Sequence, residues 1–220
     1  MQKRIGFALM LASCLALASP AFAVIDVQPK VVALHGEPTT VQIINEGDRP
    51  EYISITLSRL LNPGVELADE QLEPITQTDN PPLYAYPFRL ALAPGQSKTV
   101  FLKPLKQVDQ EQVYRLDIRP IINLLDPRRQ GVSGNVAISL AFSALVRQLP
   151  EKEISLLSIS CEPEGARLSA TGNTRYLVRG ASADGRELEP FNVYPAVPIL
   201  LHGSQIRVPG QQSCSPGGSR

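Results

Sequence analysis

Hydrophobic and polar residues alternate in short runs along most of the chain. The runs from Tyr52 to Ser58 and from Val113 to Arg119 are the clearest cases, with an aliphatic or aromatic side chain at every second position. Successive strand residues point to opposite faces of a sheet, so this period of two predicts half-buried β-strands. Together with weaker runs, the pattern predicts about seven strands in the first part of the chain, over residues 25–33, 40–45, 52–58, 88–92, 99–103, 113–119 and 135–150.

The segments between these runs are rich in proline and glycine, which favour turns. Pro94 and Gly95 separate the runs 88–92 and 99–103, so we expect these two runs to be neighbouring strands, with a positive φ at the glycine. A proline-broken, acidic loop is predicted from 62 to 82. About seven strands in roughly 125 residues predict an immunoglobulin-like β-sandwich.

The run from 135 to 150 has two different faces. Val136, Ile138, Leu140 and Phe142 alternate with alanine and serine, so one face is bulky and apolar and the other is small and half-polar. Such a strand can pair on either side. Two interpretations stay open at this point: an ordinary core strand of the sandwich, or a strand that acts on a partner.

Beyond Pro150, shorter runs predict a second and smaller β domain, with a hairpin turn at Asp184 and Gly185. A domain of this size buries a small core, so a covalent link would help to stabilise it. Cys161 and Cys214 form an even pair once Cys14 is removed with the leader, and they predict a disulfide. A cysteine-based metal site is the alternative, but no histidine lies nearby.

The first 23 residues are typical of a cleavable secretory signal, with a basic start, an apolar run and a small-residue site at Ala21 to Ala23. Cleavage for lipid attachment at Cys14 is the alternative. No later segment approaches the roughly 20 apolar residues of a membrane span. The predicted organisation is a signal peptide over 1–23, a sandwich domain over 24–149 and a smaller β domain over 150–220, without stable membrane insertion.

Charge and side-chain chemistry argue against several classes of function. The chain has 21 basic and 21 acidic residues, so its formal net charge of zero does not favour nucleic acid as a partner. Its two histidines, His35 and His202, lie in different predicted domains. There is no nucleophile elbow and no phosphate-binding glycine loop. We therefore predict a binding protein with no catalytic residues, metal site or cofactor.

Several sequence features occur in a characteristic order. Lys30 lies in the first strand, a P-G-Q turn lies between Pro87 and Val100, Y-R-L-D-I-R-P runs from Tyr114 to Pro120, and the alternating strand ends near Arg147. In this order they resemble the periplasmic pilus chaperones of the chaperone–usher pathway, as a divergent branch. The run L-S-A-T-G-N-T-R-Y-L-V from Leu168 to Val178 is similar to a strand of that family's second domain.

The resemblance implies an all-β protein of two immunoglobulin-like β-sandwich domains in an L shape, located in the periplasm. It implies a chaperone that folds and caps pilin subunits and delivers them to an outer-membrane usher. A subunit of this kind lacks its last strand, and the chaperone lends one.

The resemblance also implies roles for particular residues. The donated row would be Val136, Ile138, Leu140 and Phe142, and Lys30 and Arg147 would hold the subunit's terminal carboxylate. The alternative function is a secreted or periplasmic structural or adhesive β-sandwich protein. Whether the free protein forms a self-capped dimer is left open.

Overall fold

The structure is a computed structural model that describes residues 24–121 and 141–215. The predicted signal peptide, residues 1–23, and residues 135–140 of the predicted alternating strand lie outside these ranges. The described residues before Pro150 form ten strands. In chain order they are β1 (Ile25–Gln28), β2 (Val31–Leu34), β3 (Thr39–Asn45), β4 (Glu51–Leu60), β5 (Leu72–Pro74), β6 (Leu83–Tyr86), β7 (Arg89–Leu92), β8 (Ser97–Pro104), β9 (Gln112–Pro120) and β10 (Phe142–Gln148).

These ten strands make two sheets that pack face to face. One sheet has the order β1-β3-β8-β6, and the other has the order β2-β10-β9-β4-β5, with β7 also paired to β4. The predicted alternation decides which side chains lie between the sheets. In β9, for example, Tyr114, Leu116 and Ile118 are fully buried, whereas Arg119 is exposed. The β-sandwich predicted for this region is confirmed.

The first predicted strand, residues 25–33, is divided between the two sheets. Ile25–Gln28 pairs with β3 in one sheet, and Val31–Leu34 pairs with β10 in the other. Pro29 lies at the crossing, and its lack of an amide donor prevents it from continuing a ladder. The chain therefore changes sheets immediately before Lys30.

The prediction that the runs on either side of Pro94 and Gly95 are neighbouring strands is wrong. β7 pairs with β4, whereas β8 pairs with β3 and β6 in the opposite sheet. Gly95 does have the predicted positive φ, at 69°. The turn therefore connects the two layers of the sandwich, which local sequence cannot distinguish from a hairpin within one layer.

The segment predicted as a loop from 62 to 82 contains more structure than expected. It includes β5 and two single-turn 3₁₀ helices, Leu67–Asp69 and Ile75–Gln77. The strand β6, which follows directly, was not predicted, although Leu83 and Ala85 are buried and alternate with two tyrosines.

After Pro150, the chain as far as residue 215 forms three small sheets that share no strand with the first two. Its strands are β11 (Leu157–Glu162), β12 (Gly165–Ala170), β13 (Tyr176–Val178), β14 (Ser182–Ala183), β15 (Arg186–Glu187), β16 (Phe191–Val193), β17 (Ile199–His202) and β18 (Ile206–Arg207). The sheet orders are β11-β12-β17, β13-β16 and β15-β14-β18. We call the parts before and after Pro150 the first and second domains.

Two local predictions for the second domain are confirmed. Asp184 and Gly185 connect β14 to β15, both with positive φ, at 50° and 81°. Both angles suit the two-residue hairpin turn that this dipeptide favours. Cys161 and Cys214 form the predicted disulfide, with their Cα atoms 5.3 Å apart. The bond joins the end of β11 to the chain after β18.

The described residues contain no helix with the length and apolar character that a membrane crossing requires.

Candidate functional site

Strand β10 is paired along its whole length on one side and along only part of its length on the other. On the β9 side, the pairing runs from Phe142 to Gln148. On the β2 side, it begins at Leu145, which is opposite Val31. Within the described residues, no strand pairs with Phe142, Ser143 or Ala144 on that side. We call this stretch the open side of β10.

The peptide group of Ser143 faces the open side. The amide of Leu145 donates to the Lys30 carbonyl at 2.9 Å, so Leu145 points its backbone groups toward β2. Backbone groups alternate in direction along an antiparallel strand, so Ser143 points the same way, whereas Phe142 and Ala144 bond to β9. Among the described residues, no strand pairs with the Ser143 donor and acceptor on this open side, and such groups are what an added strand requires.

Lys30 lies where the open side ends. It is exposed, it immediately precedes β2, and its carbonyl oxygen holds Leu145 at the first pairing position. A strand added to the open side in line with β2, and running in the same direction, would end next to Lys30. The terminal carboxylate of such a strand would meet the Lys30 ammonium group, a compact cation with three donors.

The predicted donated row is only partly described. Val136, Ile138 and Leu140 lie outside the described residues, so their roles stay predictions. Phe142 begins β10, lies opposite Ile118 and packs in a half-buried position against the first-domain core. Ala144 and Val146 continue the same face and are buried in that core.

Arg147 does not lie beside Lys30 at the end of the open side. It is opposite Ala33, three residues further along β2, and this face of the strand is turned away from the sandwich core. Its Nε donates to Oε1 of Glu111 at 2.5 Å. The Arg147 side chain is 13% exposed and the Glu111 side chain is fully buried. The structure therefore gives Arg147 an anionic partner within the chain and does not join the two predicted anchors into one cationic site.

Glu111 is a functional candidate that the sequence did not indicate. Its Oε2 accepts the Arg175 backbone amide of the second domain at 2.7 Å, and its own amide donates to the Asn173 carbonyl at 2.8 Å. One carboxylate therefore connects β9, β10 and the second domain. Its only signal in the sequence was a lone glutamate before a strand, which is common on protein surfaces.

Apolar side chains surround this polar connection. Leu60 and Val113 of the first domain pack with Tyr194 of the second domain, and Leu145 and Val197 lie against them. Gly64 also lies close to the second domain. A Cβ added at this position would be only 3.2 Å from the Asn192 carbonyl oxygen. The domains are thus in contact through a small apolar cluster as well as through Glu111.

The described residues offer little that resembles a reaction centre. No group of three or more His, Cys, Asp or Glu side chains within 24–121 and 141–215 is arranged to hold a metal ion. Burial raises the pKa of the Tyr114 phenol, which donates as a neutral group to Oε1 of Gln148 at 3.2 Å. That contact joins β9 to β10 inside the sandwich and supports the strand that carries the open side.

No family model matches the sequence. Among curated proteins, the chain is 29% identical over 154 residues to a CS1 fimbrial subunit of Escherichia coli. The match covers 66% of this chain and 62% of that protein. The chain therefore matches less than two thirds of the relative's length.

Solved structures match over more of the chain. The class 5 fimbriae chaperone CfaA has a TM-score of 0.66 at 20% identity and covers 89% of this chain and 94% of its own. A chain from a chaperone–tip adhesin complex of CFA/I fimbriae has a TM-score of 0.65 at 22% identity, with 84% and 94% covered. These likenesses, with two sheets before Pro150 and smaller sheets after it, confirm the predicted architecture. The chain has the two-domain β-sandwich fold of the fimbrial chaperones of the chaperone–usher pathway.

Proposed function

We propose that this protein is a periplasmic chaperone that captures a fimbrial pilin and adds its own β10 to the unfinished sandwich of that subunit. One observation carries the proposal: β10 is fully paired with β9 but, in the described part of the chain, has no strand on its other side from Phe142 to Ala144. Pairing with an extended segment there would satisfy main-chain donors and acceptors on both partners. The subunit's unpaired strand would be covered at the same time, which prevents its aggregation.

The position of Lys30 gives the proposed complex a register. A subunit strand that runs parallel to β10 would be collinear with β2 and would end at Lys30. The ammonium group would then bind the terminal carboxylate, which fixes the strand lengthwise along β10. Val136, Ile138 and Leu140 would extend the apolar face that begins at Phe142 into the subunit, as the resemblance to pilus chaperones implies.

The contribution predicted for Arg147 is less well supported than that of Lys30. Arg147 has guanidinium donors besides the Nε that Glu111 accepts, but its side chain is only 13% exposed, and turning it outward to a subunit carboxylate would leave the fully buried Glu111 alone. A buried carboxylate without its partner is costly. We therefore propose Lys30 as the main anchor, with Arg147 holding the two domains together through Glu111.

Location and later steps belong to the same proposal. The predicted signal peptide would direct the chain to the periplasm, and the similarity to fimbrial chaperones supports that compartment. We propose that the loaded chaperone then transfers its subunit to an outer-membrane usher. Neither step requires a reaction centre, so a non-enzymatic role is part of the proposal.

The test is co-purification of the cognate fimbrial subunit from periplasm with variants at the two predicted anchors. We expect Lys30→Ala to abolish capture and to leave the melting temperature unchanged, because Lys30 is exposed. Arg147→Ala should lower the melting temperature instead. Lys103→Ala is the matched control, because Lys103 is an exposed lysine on the other sheet. Normal capture by Lys30→Ala would contradict the proposed anchor.

A second candidate, a fimbrial subunit, is favoured by the name of the curated relative. A subunit that awaits a donated strand would have an unfinished sandwich, whereas the described strands of the first domain already form two layers that enclose one core. Immunoelectron microscopy distinguishes the two functions. Label along the fimbriae would support a subunit, and label confined to the periplasm would support a chaperone.

A further inference from the structure

The segment between β4 and β6 combines exposed apolar side chains with an unbalanced charge. From residue 61 to 80 there are five acidic residues and no lysine or arginine, although the whole chain has equal numbers of both signs. Leu67 is 71% exposed, the highest value among the exposed large hydrophobic residues of the described chain. Leu61, Val65 and Leu72 of the same segment are exposed as well. We call residues 61–80 the acidic segment.

The acidic segment is held in place by specific contacts at several points. Arg115 of β9 forms a bidentate ion pair with Glu70. Its Nε donates to Oε2 at 2.9 Å, and its Nη2 donates to Oε1. Glu70 is largely buried, and its hydrogen bond raises the pKa of Arg115. The Asn62 side chain donates to the Asp69 carbonyl at 2.9 Å and accepts the Gln71 amide at 2.7 Å.

These contacts close a compact loop whose apolar tip is displayed to solvent. Its ends meet at β4 and β5, where Leu60 is opposite Leu72, and Gly64 lies against the second domain. Compact loops with such internal contacts are frequently binding elements. A surface that is already ordered also loses little conformational entropy when it binds.

The charges of the loop narrow the choice of partner. Glu66 and Asp69 are exposed beside Leu67, and the ion pair that Arg115 makes with this segment uses a different carboxylate, that of Glu70. An anionic membrane surface would be repelled. A polypeptide that carries cations among apolar side chains would instead cover the leucines and neutralise the carboxylates.

We propose that the acidic segment binds a partner protein through a stretch in which lysine or arginine stands among apolar side chains. The segment adjoins the β5 edge of its sheet, whereas the open side of β10 faces the β2 edge, with β9 and β4 between β10 and β5. Strands are about 4.8 Å apart, so the two surfaces are separated by roughly 14 Å or more. The partner can therefore bind while β10 is occupied.

The experiment titrates the protein lacking residues 1–23 into a short, fluorescently labelled synthetic peptide in which lysines stand among leucines, and binding is followed by fluorescence anisotropy. We expect binding that weakens as salt is added, because exposed charges are screened. Leu67→Ser should weaken it about tenfold, as a buried leucine is lost from the complex. The pair Glu66→Gln and Asp69→Asn should weaken it to a similar extent.

Three controls make the result specific. Leu105→Ser removes an exposed leucine outside the acidic segment and should leave peptide affinity unchanged. Lys30→Ala should also bind the peptide normally, which separates this proposal from subunit capture. The peptide with glutamate in place of lysine should not bind.

Several outcomes would overturn the proposal. Unchanged peptide affinity in Leu67→Ser would show that the apolar contact is absent. Equal binding of the glutamate peptide would show that the ionic contact is absent. A dimer of the free chain that Leu67→Ser dissociates would assign the surface to a second copy. Binding of the chain to anionic vesicles through Leu67 would assign it to lipid.

Discussion

The two domains are stabilised in different ways. In the described part of the first domain, 20 buried hydrophobic residues form one continuous cluster between two sheets. In the second domain, the corresponding cluster contains eight buried residues, one of them Cys214, and the sheets have only two or three strands. A small domain buries a smaller fraction of its surface, so the Cys161–Cys214 disulfide supplies stabilisation that the core lacks.

The larger core of the first domain allows one of its strands to stay partly unpaired. The first domain has enough core to hold β10 from one side while the other side stays open. The second domain contacts the first in two ways. Tyr194 packs against its apolar side chains, and the Arg175 amide donates to Glu111. We expect the first domain to set the global stability and the second to depend on its covalent link and on its contact with the first.

The largest effect is expected from a charge placed in the first-domain core. Ile55 of β4 is 2% exposed. Removing a buried aliphatic side chain costs about 2–5 kcal/mol, and a buried carboxylate without a partner costs more. Ile55→Asp should therefore unfold the first domain. Thermal melting followed by circular dichroism measures it. The control is Tyr52→Asp in the same strand, where the side chain is 60% exposed. A folded Ile55→Asp protein would contradict the importance of this core.

The next effect is expected at the connection between the domains. Glu111→Gln leaves Arg147 beside a neutral amide, and breaking a buried ion pair costs about 3–5 kcal/mol. We expect urea unfolding to separate into two transitions, since the domains lose their shared carboxylate. The double variant Glu111→Gln with Arg147→Gln should recover part of the loss. A single unchanged transition would mean that Glu111 does not couple the domains.

A smaller and more local effect is expected for the disulfide. Replacing Cys161 and Cys214 together by serine should lower the stability of the second domain by about 2–4 kcal/mol. Peptide-resolved hydrogen exchange should show faster exchange in β12 and unchanged exchange in β9. Reductant is the internal control, because it should reproduce this pattern in the parent protein and change nothing in the variant. Equal loss of protection in both domains would contradict independent stabilisation.

Local sequence was a good guide to strands and turns. The alternation in Tyr52 to Ser58 identified β4, and the dipeptide Asp184-Gly185 identified its hairpin. Each of these depends on side chains within a few residues. The even cysteine count likewise needed no knowledge of the fold to predict the Cys161–Cys214 pair.

Pairing between distant strands was a harder problem. The Pro94-Gly95 turn has the same local chemistry whether it joins strands within a sheet or crosses between sheets, and here it crosses. Arg147 was predicted as a carboxylate anchor, yet Glu111, the residue directly before β9, lies beside it. The partner of a charge is decided by strand register over tens of residues, which periodicity does not specify.

The central claim is that a subunit strand adds to the open side of β10, and the amide of Ser143 tests it most directly. Residue-resolved hydrogen exchange by NMR should be compared between the free protein and its complex with the cognate fimbrial subunit. We expect the Ser143 amide to exchange rapidly in the free protein and to be strongly protected in the complex. The Ala144 amide, which faces β9, should be protected in both. A stoichiometric complex in which Ser143 exchanges as fast as in the free protein would contradict strand addition at this edge.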